Sequence, residues 1–162
     1  MKIETTDIYR SLRLLLEEKF QDIKVQIKDV KNPHPPCFYI KYISGTNTQT
    51  ATEFENNTCS FDIIYFSEIE KLQDLLSIER ELKKIFKYPL KIELMDKEKT
   101  TCYQEIDSIS TNLNEDDYIL NCTISLSVDQ MNTEADPNST DFENRYGEYD
   151  NEEFMEELEL EI

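Results

Sequence analysis

The sequence predicts an α+β domain: a mostly antiparallel β-sheet with two amphipathic helices packed on it, one extended polar β-arm and an acidic C-terminal tail. Two segments carry apolar residues at helical spacing, and several others alternate polar and apolar residues with period two. The predicted order is a helix, two strands, a polar arm, a strand, a second helix and three strands, which is typical of α+β domains. Within the 162 residues we expect one domain over residues 1–128 and an extension over 129–162.

The first helix is predicted to begin near Thr5 or Thr6, either of which can cap it. Asp7 near its start and Lys19 near its end both suit the helix dipole. The apolar residues that share one face of this helix are Ile8, Leu12, Leu15, Leu16 and Phe20.

A half-buried strand and a stiff loop follow. Ile23, Val25 and Ile27 alternate with polar residues, which indicates a strand with one buried face. Residues 31–36 contain three prolines, which remove N–H donors and fix φ, so this segment is predicted to be a loop. The only histidine, His34, lies in it.

The next two strands cover residues 37–43 and 59–66. Their shared apolar faces are formed by Phe38, Ile40 and Tyr42 in the first and by Cys59, Phe61, Ile63 and Tyr65 in the second. Ile64 and Phe66 lie on the opposite face of the second strand. We therefore expect this strand to be covered on both sides, with a helix on the second.

Residues 45–58, called the arm below, contain few large apolar groups. Structureless loops of this length are uncommon in compact domains, and threonines alternate here with period two. We expect the two strands to continue as a polar arm beyond the core, ordered mainly by contact with another subunit. The candidate interface residues of the arm are Thr46, Thr48, Thr50, Thr52, Glu53, Glu55 and Asn57.

The second helix is predicted to begin at Ser67, because Ser67 and Glu70 have the spacing of a capping box. Its apolar face repeats at helical spacing through Leu75, Ile78, Leu82 and Ile85. Pro89 prevents its continuation.

Three further strands are predicted over residues 90–94, 102–109 and 118–128, with a turn at 112–117. The last strand has the clearest alternation in the chain, with Leu120, Cys122, Ile124, Leu126 and Val128 on one face.

The negative charge is concentrated at the C-terminal end. Residues 129–162 contain 13 acids and the single base Arg145, and they contribute −12 of the net charge of −18. Such a chain offers no strongly basic surface for nucleic-acid phosphates. No apolar run approaches the length of a membrane span, and the N-terminus lacks the apolar region of a signal peptide, so we expect a cytoplasmic protein.

The residues that catalysis or metal binding needs are missing or scattered. Cys37, Cys59, Cys102 and Cys122 form no Cys-x-x-Cys pair, and each falls in or beside a predicted strand. We interpret them as buried reduced thiols. Two glycines leave no phosphate-binding loop, and a single loop histidine offers no base for a triad. We expect no enzyme, no metal and no cofactor.

The tail divides into two parts. Residues 130–150 have a composition that cannot bury a core and are predicted to be flexible. Residues 151–162 are acidic but place Phe154, Met155, Leu158 and Ile162 on one side of a possible helix. This end of the chain is either a solvated tail or a short helical motif that docks on a partner.

Several segments together resemble a known family. They are Leu-Glu-Glu-Lys-Phe at the end of the first helix, Pro-Pro-Cys-Phe-Tyr-Ile, the polar arm, Ser-Phe-Asp-Ile-Ile-Tyr-Phe and the closing strand 118–128. This order resembles the tail-terminator, or tail-completion, proteins of tailed phages and of phage-derived tail particles of Gram-positive bacteria. The resemblance covers residues 5–129, and the acidic extension goes beyond it.

The resemblance implies a structural virion protein in the tail or neck, made in the host bacterial cytoplasm. It implies a ring, usually of six copies, that caps the tail tube, stops its polymerisation and joins the tail to the neck or head. The implied partners are further copies of the chain, the tail tube protein, and neck, connector and sheath proteins, with DNA only passing through the channel and no membrane contact. Exposed strand edges would be covered by ring closure, and an acidic body suits a channel in which DNA must not stick.

Two other functions fit the same sequence. One is a different neck or head-completion component with the same architecture. The other is an acidic DNA mimic or inhibitor, which the net charge favours, although most of the excess charge lies in the tail rather than in the body.

Overall fold

The computed structural model describes residues 2–27, 31–51, 54–95 and 97–131. This part of the chain has the predicted α+β class, with a mostly antiparallel sheet and two helices. In order, the elements are α1 (Thr5–Lys19), β1 (Lys24–Gln26), β2 (Cys37–Ala51), β3 (Phe54–Phe66), α2 (Leu72–Ile85), β4 (Leu90–Glu93), β5 (Thr101–Gln104), β6 (Ser108–Asn114) and β7 (Ile119–Met131).

The main sheet has the strand order β1-β2-β3-β7-β6, and β4 and β5 form a separate pair. All neighbouring strands are antiparallel except β1 and β2, which run parallel. The β1–β2 pairing covers only Cys37 to Tyr39 of β2. Among the strands of the described residues none pairs with the rest of β2 on this side, which is therefore an edge of the described sheet.

One face of the main sheet carries the core. Side chains of β2, β3 and β7 that are register partners, such as Phe38 with Tyr65 and Phe61 with Ile124, are buried on it. Both helices pack on this same face: Tyr9 of α1 lies 6.5 Å from Phe61 between ring centroids, and Tyr65 donates a hydrogen bond to Asp74 of α2. We call this side the core face and the other side the open face.

The expected second helix layer over β3 is absent from the described part of the chain. Ile64 and Phe66 on the open face are only partly buried, opposite Asn121 and Ile119. Their neighbours in the sheet, rather than a helix, cover them. The prediction was wrong here, because two partly covered apolar residues at the end of a strand give the same sequence pattern as a buried face.

The predicted start of the second helix is also wrong. Ser67 still belongs to the sheet, because its N–H donates to the carbonyl of Tyr118 at 3.1 Å. Its hydroxyl accepts the N–H of Ile69 and contacts the Asp74 carboxylate. These bonds form a turn, and α2 begins at Leu72 with Lys71 as its N-cap.

The N-cap of the first helix lies one residue before Thr5, the first of the two predicted caps. Glu4 is its N-cap, and the Glu4 N–H donates to the Asp7 carboxylate at 3.0 Å. Asp7 is buried and lies 3.6 Å from Arg10, so an acid in the first turn replaces a threonine cap.

The segment predicted as one strand over 102–109 is two strands in different sheets. β5 pairs with β4, whereas β6 pairs with β7. The apolar positions that pack on the core change from even numbers, at Cys102 and Ile106, to odd numbers, at Ile109 and Leu113. Since side chains alternate between faces, one continuous strand cannot hold both sets on the same side.

The four cysteines are free thiols, and Cys37, Cys59 and Cys122 are buried. Burial raises the pKa of Cys59 to about 11 and that of Cys122 to about 12, and it also raises the pKa of Cys37 and Cys102. Thiols with raised pKa values are poor nucleophiles near neutral pH.

A polar contact fastens α2 to β6. The Glu79 carboxylate accepts hydrogen bonds from Lys83 at 2.8 Å and from the Thr111 hydroxyl at 2.5 Å. These two bonds, the one from Lys83 foremost, lower the pKa of Glu79 below its ordinary value of 4.5. A carboxyl group with a lowered folded-state pKa stabilises the fold above its unfolded pKa and loses that contribution as the pH falls through the folded pKa.

We therefore predict that Glu79→Gln lowers the free energy of unfolding by about 0.5–1 kcal/mol at pH 7. The difference from the wild type should shrink as the pH falls below 4.5, because protonation removes the same charge. Urea unfolding at pH 7 and at lower pH measures it, with the exposed Glu81→Gln as the matched control. A difference that is the same at pH 3 would show that the Glu79 charge is not responsible.

Candidate functional site

The predicted arm forms. β2 and β3 continue as a paired hairpin beyond the core, with Thr46 opposite Thr58 and Thr48 opposite Asn56. The end of β7, residues 127–131, lies along β3 and makes the projection three-stranded. The arm is therefore paired along its own chain, and its ordering mainly by contact with another subunit stays a prediction.

The third strand of this projection arises because β7 is longer than predicted. The expected strand ended at Val128, but the pairing with β3 continues to Met131, opposite Phe54. Residues 129–131 lack the apolar alternation that marked the rest of the strand. Their pairing depends on the ladder already established between β3 and β7.

The alternating threonines do not all share one face. β2 has register irregularities between Tyr42 and Ser44 and between Gln49 and Ala51. Thr46 and Thr48 lie on the open face, and the second irregularity interrupts the period at Thr50. The predicted residues Thr52 and Glu53 lie outside the described residues.

Small polar side chains form a ladder along the open face of β3 and β7. Four cross-strand hydrogen bonds join the two strands there: Thr58 with Ser127 at 3.0 Å, Ser60 with Ser125 at 2.7 Å, Asn56 with Asp129 at 2.6 Å and Thr123 with Asp62 at 3.1 Å. Asp62 and Asp129 are the ionisable residues in these pairs. Neither β3 nor β7 contains Lys or Arg.

The core-face side of the arm holds a buried carboxylate. Glu55 is 9% exposed and accepts hydrogen bonds from the side-chain amides of Asn47 at 3.2 Å and Asn57 at 3.1 Å. Burial of a carboxylate is costly unless donors satisfy it, and hydrogen bonds to a charged group are the stronger kind. The three side chains thus tie the two strands of the hairpin together.

A groove of about 450 Å³ separates this part of the arm from the N-terminal segment and the start of α1. Residues 2–6 and Ile8 line one side. The arm side is lined by Tyr42, Gly45, Thr46, Asn47, Glu55, Asn57, Thr58, Cys59 and Val128. The groove marks the place where the apolar core ends and the arm begins.

Gly45 permits a close approach at the base of the arm. A Cβ atom at this position would lie 2.1 Å from the Tyr42 hydroxyl oxygen. The glycine lets the Tyr42 side chain lie over the β2 backbone, where its ring makes an edge contact with Phe61 at 5.5 Å between centroids. Tyr42 nevertheless remains 46% exposed.

The predicted site residues therefore divide into three groups. Glu55 and Asn57 come together on the core-face side, and Thr46 and Thr48 lie on the open face, with Thr50 following at the second register irregularity. The third group lies outside the described residues and comprises Thr52, Glu53, Phe154, Met155, Leu158 and Ile162. Sequence reasoning missed Asn47 and Gly45. Their signal was weak: a single amide and a single glycine in a polar run, whose roles depend on the partner strand.

The described residues contain no helix long and apolar enough to cross a membrane. Within the same part of the chain, no three His, Cys, Asp or Glu side chains converge as metal ligands. His34 is an exposed loop residue whose backbone N–H donates to the Gln26 side chain at 3.3 Å.

Comparison with protein families gives a match over most of the chain. The model of the family described as phage tail terminator protein matches residues 7–138, most of the chain. The chain belongs to the phage tail terminator family. No curated protein matches it.

The family match extends beyond the structural body. It includes the whole of β7 and continues to residue 138, whereas the resemblance in the sequence reached only residue 129. The described body of this tail terminator includes the arm and its third strand. Members of the family are structural tail proteins, so a surface for assembly is the relevant kind of site.

We predict that Asn57→Ala destabilises the tail terminator by about 1–2 kcal/mol, because the buried Glu55 carboxylate loses one of its amide donors. In a Glu55→Gln background, Asn57→Ala should lower the free energy of unfolding by less, since the lost hydrogen bond no longer involves a charge. Thermal or urea unfolding measures both effects. Asn112→Ala, an exposed asparagine of β6, is the control. Equal effects at the two asparagines would contradict a role for the Glu55 cluster.

Proposed function

We propose that this tail terminator forms a ring, of six copies, that caps the finished tail tube, stops its polymerisation and joins the tail to the neck or head. Family membership is the observation that carries the proposal. The expected partners are further copies of the chain, the tube protein and the neck, connector and sheath proteins. The protein has no catalytic role in this proposal.

The arm supports assembly as the function. With the end of β7 it projects beyond the core as three strands, and residues 45–49 on its β2 side are all exposed. A long exposed strand edge is a hazard in a monomer and is normally protected. In a ring, neighbouring subunits cover such edges.

The open face suits a channel for DNA. Both helices pack on the core face, and in the proposed ring this helical layer lies on the outer circumference. The open face of β3 and β7 then points toward the axis. On β3 and β7 it presents serine, threonine and asparagine with Asp62 and Asp129, and the exposed Lys41 of β2 lies beside Asp62 as its register partner. Beyond Lys41, the arm end of this face carries no Lys or Arg on the described strands, so DNA phosphates find no opposite charge there.

We predict that deleting residues 47–55 leaves a folded monomer that does not form rings. The deletion joins Thr46 to Asn56, so that the paired residues Thr46 and Thr58 flank the two-residue turn Asn56-Asn57. Asparagine tolerates the positive φ of such turns. Mass photometry and negative-stain imaging measure the assembly, with circular dichroism as the check on folding.

Co-expression with the cognate tube protein tests the function itself. Tubes made with the wild-type chain should have capped ends and a limited length, whereas tubes made with the deletion variant should grow long and vary in length. Tubes that the wild-type chain neither binds nor shortens would overturn the terminator role and favour a different neck or head-completion component. Rings formed normally by the deletion variant would overturn the role of the arm.

The acidic extension has a separate role in this proposal. Phe154, Met155, Leu158 and Ile162 are suited to filling a groove on a tail or neck partner while the surrounding glutamates remain in water. A groove rimmed by Lys or Arg would make this contact sensitive to salt.

We predict that a chain ending at Met131 still forms rings but binds the neck partner more weakly. The cut follows the last residue of β7 and leaves the β3–β7 ladder intact. Ring formation by mass photometry and neck binding at two salt concentrations are the measurements. Replacing Phe154 and Leu158 by alanine in the full chain is the matched control, because it keeps the charge. Loss of both rings and all binding on truncation would instead favour an acidic mimic whose activity resides in the extension.

A further inference from the structure

The outer edge of β2 in the arm has backbone groups that point away from the sheet. β1 covers only residues 37–39 of this strand. From residue 42 to Ala51 the strand contains no charged residue, although 32% of the chain is charged. Charged side chains, prolines, short strands and β-bulges are the common means of protecting an edge. This stretch has none of the first three, and between its two register irregularities, from Ser44 to Gln49, it pairs regularly with β3.

The hydrogen bonds identify which backbone groups face outward. The Ser67 N–H donates to the carbonyl of the opposite residue, Tyr118. The backbone N–H and C=O groups of even-numbered residues of β7 therefore point toward β3, and those of odd-numbered residues of β3 point toward β7. The backbone groups of even-numbered residues of β3 therefore point toward β2, where Thr58 and Asn56 are the register partners of Thr46 and Thr48. The backbone groups of Gly45, Asn47 and Gln49 are left facing outward.

The opposite side of the arm has a second edge. β6 covers β7 only as far as Ser125, and the side-chain amide of Gln104 donates to the Ser127 carbonyl at 2.8 Å. By the same alternation, the next outward-facing residue of β7 is Asp129, which is exposed. Beyond Ser127, β7 itself is the outer strand of the arm on this side.

The two edges are complementary in direction. β2 and β7 both run from the core toward the tip of the arm, and each is antiparallel to β3 between them. In a cyclic assembly with all arms pointing the same way, β2 of one copy lies beside β7 of the next copy and runs parallel to it. A head-to-tail contact of this kind uses a different surface on each side, and it closes into a ring when the rotation from copy to copy completes a full turn.

We propose that β2 of one copy pairs in parallel with β7 of the next copy and so joins the arms into one continuous sheet. Thr48, Asn56 and Asp129 are register partners and form one row across the three strands of each arm. If the ring axis runs along the arms, the rotation that relates one copy to the next keeps this row at the same height in both copies. Thr48 then lies opposite Asp129 of the next copy. Asn47 C=O accepts the Asp129 N–H, and Gln49 N–H donates to the Asp129 carbonyl.

This inference rests on the proposed ring and specifies how the ring is held together. A second copy of the chain is the occupant of the β2 edge because the arm carries both partners of the pairing. A tube subunit adding its own strand to the same edge and a two-fold β2–β2 dimer are the competing occupants.

Gln49→Pro tests the pairing by removing an N–H that faces outward. Proline also restricts Thr48 to the extended conformation that it already has in the strand. The variant should fold as the wild type does and shift from ring to monomer in mass photometry, with at least a tenfold weaker assembly. Gln49→Ala keeps the N–H and is the matched control, which should assemble like the wild type.

Cysteine pairs test the register. Neighbouring strands lie about 4.8 Å apart, within the reach of a disulfide, whereas Thr48 and Asp129 of one copy are two strand spacings apart, about 10 Å, and outside it. Thr48→Cys combined with Asp129→Cys should therefore cross-link different copies into a ladder up to the closed ring under mild oxidation. Thr46→Cys combined with Asp129→Cys should cross-link poorly, because it is one side-chain repeat out of register.

The outcomes separate the pairing from the function. Rings of normal stability in Gln49→Pro, with no cross-links in the Thr48–Asp129 pair, would overturn the pairing and leave the terminator role intact. Cross-linking by Thr48→Cys alone would indicate a two-fold β2–β2 contact and overturn it. Intact rings that lose only tube binding would assign the edge to the tube subunit. A wild-type chain that neither forms rings nor limits tube length would instead overturn the proposed function.

Discussion

The antiparallel pairing of β3 with β7 is the constraint on which the rest of the structure depends. It runs from Phe66 opposite Ile119 to Phe54 opposite Met131 without a register shift, whereas the pairing of β2 with β3 is interrupted twice. At its inner end, the ladder buries large apolar side chains, each contributing about 1.5–3 kcal/mol. At its outer end, it holds polar residues whose hydrogen bonds contribute about 0.5–1.5 kcal/mol each. Since ordering the backbone costs about 1–2 kcal/mol per residue, the arm is ordered because it continues a ladder that the core already stabilises.

The sequence predicted the parts of this fold that depend on periodicity. Both helices, the α+β class and the core residues of β2, β3 and β7 follow from apolar repeats with period 3.6 or two, because burial selects for those repeats directly. The arm was predicted because a long polar segment with alternating threonines connects two strands that have clear apolar alternation. These features require no knowledge of which strands are neighbours.

The features that the sequence could not predict depend on partner strands. Ser67 and Glu70 have the spacing of a capping box, but the Ser67 N–H is used by Tyr118, which is 51 residues away in sequence. Glu55 was expected to be an outward-facing arm residue, and only the positions of Asn47 and Asn57 across the hairpin explain its burial. The division between β5 and β6 follows from a change in the parity of apolar residues, which has meaning only once two separate sheets are known.

One column of side chains on the core face shows how the body becomes an assembly surface. Along β3 this column runs from Tyr65 through Ile63, Phe61 and Cys59, all buried and apolar, to Asn57 and then Glu55. From Asn57 onward this column of β3 is polar, and the side-chain amides of Asn47 and Asn57 donate to the Glu55 carboxylate. Beyond Asn57 this column of β3 has no apolar side chains that packing against the rest of the domain would bury. The backbone groups of the outer edges are then the principal means by which the arm can bind, and strand pairing is specific because direction and register must both match.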